Sequence, residues 1–118
     1  MAKGKGRTPR KARKRSYGAL KKELDLLFSL WVRQSHPPIC VSCGKRATSW
    51  KELQCGHFVS RHYLGTRWEP ANAAPQCVGC NVFKKGNIAA YAAWGVKEYG
   101  EGWPSRMLEL SRTVLKLS

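Results

Sequence analysis

The segment from residue 40 to residue 80 opens with Cys40-Val-Ser-Cys43 and closes with Cys77-Val-Gly-Cys80, which are two C-x2-C motifs. Each motif can present two thiolates to a tetrahedral zinc ion at about 2.3 Å. Disulfides are the competing interpretation, but the cysteines number five, an odd count, and no secretory signal is apparent. We therefore predict that all four of these cysteines bind structural zinc. Four thiolates close the coordination shell, so this zinc is not expected to be catalytic.

Length and charge limit the classes of protein that the chain can belong to. The 118 residues are enough for one domain, and a hydrophobic fraction of 42% supports a modest core. No run approaches the roughly 18 apolar residues of a membrane span, so no membrane partner is expected. The 22 Lys and Arg against seven Asp and Glu give a net charge of +15. This charge favours a polyanionic partner, most often nucleic acid, because binding releases condensed counterions.

The positive charge is concentrated at the N-terminus. Residues 1–16 contain eight Lys and Arg and no acidic residue. We expect them to form a flexible basic arm that binds phosphates, followed by a single folded domain over residues 17–118. A solubilising tail or a nuclear-localisation-like run is the alternative. The arm residues predicted to contact nucleic acid are Arg10, Lys11, Arg13, Lys14 and Arg15.

The apolar spacing predicts helices on either side of the cysteine-rich segment. Ser16 is a suitable N-cap for a helix that ends by about Ser35, ahead of a Pro-Pro pair. Its apolar stripe is Leu20, Leu24, Leu27, Phe28 and Trp31. We expect this stripe to pack in the core without a chemical role, although it also offers a homodimer surface and the sequence leaves both open.

Two further helices are predicted towards the C-terminus. Residues 87–99 have helical spacing, and Pro104 suits the first turn of a last helix. The apolar repeat of that last helix is Met107, Leu110, Val114 and Leu117.

The residues between and after the cysteine motifs resemble those of a nuclease family. The order of His57, Asn72 and Asn81 is similar to that of HNH, or ββα-metal, nucleases. The wider pattern resembles the phage recombination nucleases of the lambda Rap (NinG) family over roughly residues 24–100. The matching positions are Gly56-His57-Phe58 with Ser60, Arg67-Trp68, Asn72, Gln76-Cys77, Cys80-Asn81, and Gly86-Asn87 with Tyr91.

The resemblance implies a fold of the α+β class. We expect a small zinc-stabilised ββα-metal (HNH-like) domain with flanking helices. In that architecture a two-stranded hairpin carries the histidine. A helix that starts at the second cysteine motif carries the ligand of the catalytic metal.

Each matching polar residue can be given a role in phosphodiester hydrolysis. The reaction needs a deprotonated water, charge compensation on phosphorus and help for the leaving oxygen. His57 has a suitable pKa, and the resemblance makes it the general base. Asn81 offers a carbonyl oxygen suited to Mg²⁺ or Mn²⁺. The resemblance makes Asn72 a supporting residue that ties the hairpin loop to the backbone. Arg61 and Arg67 are predicted to contact the scissile phosphate.

The residues around the catalytic positions leave several points open. Lys84 and Lys85 follow Asn81 and are predicted to contact nucleic acid. Gly56 stands where many HNH enzymes place a second metal ligand, Asp or His. Either Asn81 and water hold the ion, or a carboxylate such as Glu69 or Glu52 completes the shell. Cys55 is interpreted as a small buried hydrophobe, although on a strand it would share the face of His57.

The resemblance implies a Mg²⁺- or Mn²⁺-dependent endonuclease that acts on branched DNA, such as Holliday junctions and D-loops, in the cytoplasm of a bacterial host. Composition alone does not distinguish DNA from RNA. A non-catalytic zinc-ribbon protein that binds nucleic acid is one alternative, but binding alone does not require the set of His57, Asn72 and Asn81. An HNH nuclease that cuts linear duplex is another, but no separate recognition module is evident.

Overall fold

Helices surround a small antiparallel sheet in the described part of the chain, residues 16–113 of a computed structural model. Its elements are α1 (Tyr17–Gln34), β1 (Gln54–His57), α2 (Leu64–Arg67), β2 (Ala73–Gln76), α3 (Ile88–Tyr99) and α4 (Trp103–Ser111). Short 3-10 turns cover Trp50–Glu52 and Pro70–Asn72, and a π-helical turn covers Gly79–Phe83. The predicted α+β class is confirmed. Within these residues no helix is long and apolar enough to cross a membrane.

Two of the sequence predictions fall on parts of the chain that are not described. Residues 1–15, which make up nearly all of the predicted basic arm, lie outside the described residues. So do Val114 and Leu117, the last two positions of the C-terminal apolar repeat.

Helix α1 begins as predicted but packs differently. The backbone N–H of Ala19 donates to Ser16 Oγ at 3.0 Å, which confirms Ser16 as the N-cap. The helix lies against both strands, and Val32 is its fully buried residue. Leu27 and Trp31 remain 56% and 50% exposed, so the prediction that the whole stripe packs in the core is wrong. The strands are short, so they cover only a narrow face of this 18-residue helix.

The sheet is a two-stranded antiparallel pair in which Cys55 lies opposite Pro75 and His57 opposite Ala73. Residues 58–72 connect the strands. The predicted hairpin with the histidine at the end of its first strand is therefore present. Gly56 is needed on the buried face of β1, because a Cβ there would lie 1.8 Å from Gln76 Oε1.

The segment after the second cysteine motif forms two separate helical elements. The π-helical turn Gly79–Phe83 begins within this motif, and α3 begins at Ile88. Lys85, Gly86 and Asn87 separate the two with positive φ angles of 50°, 93° and 43°. Consecutive left-handed residues cannot continue a right-handed helix. A helix that starts at the second cysteine motif and carries Asn81 is therefore present, as predicted, but it is a single π-helical turn separate from α3.

The core lies on the buried face of the sheet, under α3 and α4. Its buried side chains are Val59, Ala74, Tyr91, Trp103 and Met107. The hydroxyl of Tyr91 donates to the Gly56 carbonyl at 2.8 Å, and Trp103 Nε1 donates to the Ala71 carbonyl at 2.9 Å. These bonds attach the C-terminal helices to β1 and to the loop before β2. The other face of β1, which carries Cys55 and His57, is left to line a cleft.

Candidate active site and cysteine cluster

The four cysteines of the two C-x2-C motifs converge in space. Their Sγ atoms all lie within 4.8 Å of one another, and all four thiols are free. The Sγ atoms of Cys43 and Cys77 are 3.8 Å apart, which matches the edge of about 3.8 Å in a tetrahedron with Zn–S bonds of about 2.3 Å. Four soft sulfur donors at this spacing fit a zinc ion. The cluster can therefore hold the structural zinc that the spacing predicts.

Neighbouring donors orient the sulfurs of this cysteine cluster. The N–H of Cys80 donates to Cys77 Sγ at 3.4 Å, and Asn87 Nδ2 donates to Cys80 Sγ at 3.5 Å. Burial by itself would raise the pKa of Cys40, but backbone N–H groups, led by that of Cys43, donate to its sulfur and lower the pKa to about 7. At Cys40, these N–H donors favour the thiolate form that binds a metal.

A cleft of about 720 Å³ opens between α1, β1 and the π-helical turn. Among the residues predicted from sequence, it brings together His57, Arg61, Asn81 and Lys85. Its remaining lining residues are Asp25, Phe28, Ser29, Arg33, Leu53, Gln54, Cys55, Phe58, Ser60, Gly86 and Ile88. One wall is therefore formed by α1, a helix for which the sequence predicts core packing or a homodimer surface but no part in the active site.

His57 is held in one orientation in this cleft. Its Nε2 lies 2.8 Å from the Arg67 carbonyl oxygen, which can only accept a hydrogen bond. Nε2 therefore carries the proton in the neutral ring, and Nδ1 has the free lone pair. The ring of Phe28 lies beside it, with centroids 6.0 Å apart. Burial lowers the pKa of His57 below 6.5, and the charge of Arg61 adds to this, against the opposing effect of the bond to the Arg67 carbonyl.

Asn72 lies outside the cleft and is fully buried. Its Nδ2 donates to the carbonyls of Val59 at 3.0 Å and Thr66 at 3.2 Å, and its Oδ1 accepts from Val59 N at 2.9 Å. These bonds join both ends of the loop between β1 and β2. They are the contacts expected of a residue that ties this loop to the backbone.

Asn81 lies in the cleft and is oriented by β1. Its Nδ2 donates to Gln54 Oε1 at 2.8 Å. The amide nitrogen is the atom engaged with Gln54, so Oδ1 is the atom that a hard cation would bind.

Asp25 of α1 organises the cationic side of the site. Arg67 donates to both of its oxygens, from Nε to Oδ1 at 2.8 Å and from Nη2 to Oδ2 at 2.6 Å. Trp68 Nε1 also donates to Oδ1, at 3.0 Å, and Arg61 Nη1 lies 3.9 Å from Oδ2. The bonds from Arg67 hold the pKa of Asp25 below its usual value. No motif points to Asp25, but a charge among Leu24, Leu26 and Leu27 is a signal for it in the sequence.

The two predicted phosphate contacts have different surroundings. The guanidinium of Arg67 is paired with Asp25, and its side chain is 14% exposed. Arg67 is not among the described residues that line the cleft. The side chain of Arg61 is 64% exposed and lines the cleft. Lys84 is exposed beside Lys85, just outside the lining. Arg61 is therefore the arginine better placed to meet an anion.

The carboxylates considered as second metal ligands lie elsewhere. Glu69 Oε2 accepts from Ala71 N at 3.1 Å as the N-cap of a 3-10 turn, and Glu52 bonds to Thr48 at the surface. Within residues 16–113, Asp25 is the acidic residue that lines the cleft. Cys55 also lines it, and burial raises the pKa of its thiol to about 12, so the thiol stays protonated at neutral pH.

The fold and the site define a small α+β protein with a cluster of four cysteines that could hold a metal ion, beside a basic cleft. Residues 2–117 match the family described as Bacteriophage Lambda NinG protein, and the chain belongs to that family. This confirms the resemblance to the NinG family that the motifs indicate. No curated protein and no solved structure matches the chain.

Proposed function

We propose that this protein is an HNH-type endonuclease that uses Mg²⁺ or Mn²⁺ to hydrolyse phosphodiester bonds in branched DNA, such as Holliday junctions and D-loops. The observation that carries the proposal is the placement of His57 and Asn81 in one basic cleft, each oriented by a hydrogen bond. Membership of a bacteriophage protein family supports the proposal of branched DNA as the substrate. The corresponding compartment is the cytoplasm of the bacterial host.

In this proposal His57 is the general base. Its Nδ1 accepts a proton from the attacking water, while the Arg67 carbonyl accepts from Nε2 and stabilises the imidazolium that forms. The lowered pKa keeps the ring neutral at pH 7, which is the form that accepts a proton. A histidine that only bound phosphate would gain from the opposite shift, because its charged form attracts the anion.

Asn81 would hold the catalytic metal through Oδ1. When bound, the ion neutralises charge on the phosphate and on the leaving oxygen. Gly56 has no side chain to offer as a ligand. A side chain at that position would meet Gln76 on the buried face. Asp25 is engaged by Arg67 and Trp68. The surroundings therefore favour an ion held by Asn81 and water, a ligand set that Mg²⁺ accepts.

Arg61 and Lys85 would bind the phosphates next to the scissile bond. Both line the cleft, and both are exposed. Arg67 would act indirectly, through its carbonyl on His57, because its guanidinium is paired with Asp25. The proposal thus separates a phosphate-binding arginine from a positioning arginine.

A cleavage assay tests the proposal. Labelled four-way, forked and linear DNA are incubated with the protein in Mg²⁺ or EDTA, alongside His57→Ala. We expect the wild type to cut branched DNA in Mg²⁺ only, and the variant to lose about two to four orders of magnitude in rate while it still binds junctions in EDTA. His62→Ala is the matched control, since His62 is exposed and lies outside the cleft lining.

Other outcomes of the assay distinguish the alternatives. Cleavage by His57→Ala at the wild-type rate would exclude His57 as the base. Tight binding without cleavage of any substrate would favour the non-catalytic zinc ribbon. Equal cleavage of linear and branched DNA would favour the HNH nuclease of linear duplex.

A further inference from the structure

Phe83, at the end of the π-helical turn, presents an aromatic ring to solvent. Phe83 is 79% exposed, and Val82, which precedes it in the chain, is 52% exposed. Aromatic rings are among the side chains that gain most from leaving water. An aromatic ring this exposed, next to a second exposed apolar side chain, is a surface that a partner could cover.

The turn that carries Phe83 is firmly held. Lys84 N donates to the Gly79 carbonyl at 2.9 Å, and Gly86 N donates to the Cys80 carbonyl at 2.8 Å. Gln76 Nε2 also donates to the Gly86 carbonyl at 2.7 Å, which ties the turn to β2. Lys85 has a positive φ of 50°, a conformation that costs energy for a residue with a side chain. The turn therefore presents the ring from a rigid support, so binding would cost little ordering entropy.

The surroundings of the ring favour nucleic acid over another apolar partner. Lys84 and Lys85 follow it directly and are exposed, and Lys85 and Ile88 belong to the lining of the cleft. Residues 70–97 contain no Asp or Glu. An aromatic ring flanked by cations, in a segment without acidic residues, matches the way proteins bind exposed bases, with the ring against a base and the cations on phosphates.

We propose that Phe83 stacks on a nucleobase left uncovered at a branch point, while Lys84 and Lys85 bind the adjoining phosphates. This inference rests on the proposed function and adds the feature of the substrate that it recognises. In continuous duplex each base is covered by its neighbours, so a side chain must first unstack a step. A branch interrupts the stack and offers a free face. Phe83 thus provides a preference for branched DNA that binding to phosphates alone does not.

Binding in EDTA tests the inference without cleavage. Full-length protein is titrated onto a four-way junction and onto a linear duplex of the same arm sequence, each with 2-aminopurine at the matching position. Phe83→Ala should weaken junction binding about 10-fold and abolish the fluorescence change, with less than about a twofold change on duplex. Phe83→Trp should retain both properties. Phe83→Leu, which keeps an apolar surface without an aromatic face, should resemble Phe83→Ala.

Leu108→Ala is the matched control, because Leu108 is 51% exposed on α4 and lies outside the cleft lining. It should bind both DNAs like wild type. Equal loss of junction and duplex binding by Phe83→Ala would overturn the inference. A difference in sedimentation between free Phe83→Ala and the free wild type would also overturn it, because Phe83 would then be a contact between copies of the chain. A further outcome is a wild type that binds junctions through Phe83 and yet cleaves no DNA. That result would refute the proposed endonuclease activity and leave the proposed stacking of Phe83 intact.

Discussion

The cysteine cluster and the cleft meet at the π-helical turn, where Cys80 and Asn81 are consecutive residues, but they are assembled differently. All four sulfurs come from two short motifs, residues 40–43 and 77–80, and converge on one point. The cleft draws on α1, β1, the loop after β1 and the turn. The cluster is thus a set of local ligands joined by one long-range contact, whereas the cleft depends on how several elements pack.

This difference predicts an asymmetry between the two regions. A metal ion in the cluster would hold the turn that carries Asn81, so loss of the ion should disturb the cleft as well. Changes within the cleft should impair chemistry and leave the cluster filled. The following experiments test this asymmetry.

The largest effect is expected from removal of a cluster ligand. Cys40→Ser and Cys80→Ser should each lose zinc and either unfold or melt at a sharply lower temperature, because structural zinc contributes about 10 kcal/mol or more of apparent binding free energy in small domains. Zinc content by atomic emission and melting by circular dichroism measure this. Cys55→Ser is the control, since it makes the same change outside the cluster and should retain zinc. A Cys40→Ser protein that melts like wild type with four-coordinate zinc would refute the proposed ligand set.

A smaller effect, confined to the cleft, is expected from Asp25→Asn. The change keeps the shape of the side chain but removes the charge that holds Arg67, whose carbonyl orients His57. We expect cleavage to fall about 10- to 100-fold, in line with the cost of misplacing a catalytic group by about 1 Å. Stability should fall by about 1–3 kcal/mol. Zinc content should not change.

Single-turnover rates and urea denaturation measure these two effects. Glu109→Gln is the control, because it removes a carboxylate from α4, outside the cleft lining among the described residues. If Asp25→Asn cleaved at the wild-type rate, the link from α1 to His57 would be unimportant for the reaction.

The pH dependence should separate the two regions further. The pKa of folded His57 is below its ordinary value of 6.5, so the neutral base forms on the acidic side of that value. The cleavage rate should rise with pH, with the midpoint of the rise below pH 6.5. Above that pH the titration of His57 should not change the rate further. The unfolded chain binds the proton more tightly, so His57 should also lower stability as pH falls below about 6.5. His57→Ala should lack this contribution, whereas His62→Ala should retain it.

The rates are compared only over the range in which zinc content stays constant, since acid also protonates thiolates. A rise in the wild-type cleavage rate with its midpoint above pH 6.5 would contradict the proposal that burial keeps His57 neutral.

The smallest effect on turnover is expected from deletion of residues 2–15, with the N-cap Ser16 retained. The deleted residues hold positive charge but no motif residue, so binding should weaken by similar factors for every DNA shape. The log–log salt dependence on duplex should flatten by about 0.9 for each phosphate that the arm no longer neutralises. Saturating turnover should change little. Affinities for junction and linear DNA across a salt series measure this, and selective loss of junction binding would place branch recognition in the arm.

Local signals determined a definite part of this protein from its sequence. The spacing of Cys40, Cys43, Cys77 and Cys80 predicted the cluster, and the N-cap at Ser16 predicted the start of α1. The motifs between Gly56 and Tyr91, taken together, predicted the family. The N-cap and each C-x2-C motif depend on residues close together in the chain, where spacing and capping impose geometry directly.

Tertiary structure decided the features that depend on distant residues. Arg67 and Asp25 pair across 42 positions, so nothing local marks Arg67 as occupied or identifies the partner of Asp25. The side chain of Gln76 over Gly56 excludes a ligand at that position. The left-handed residues before α3 leave Asn81 on a short turn and Phe83 in solvent. Periodicity reports which residues can share a face, but whether that face is covered depends on the packing of other elements against it.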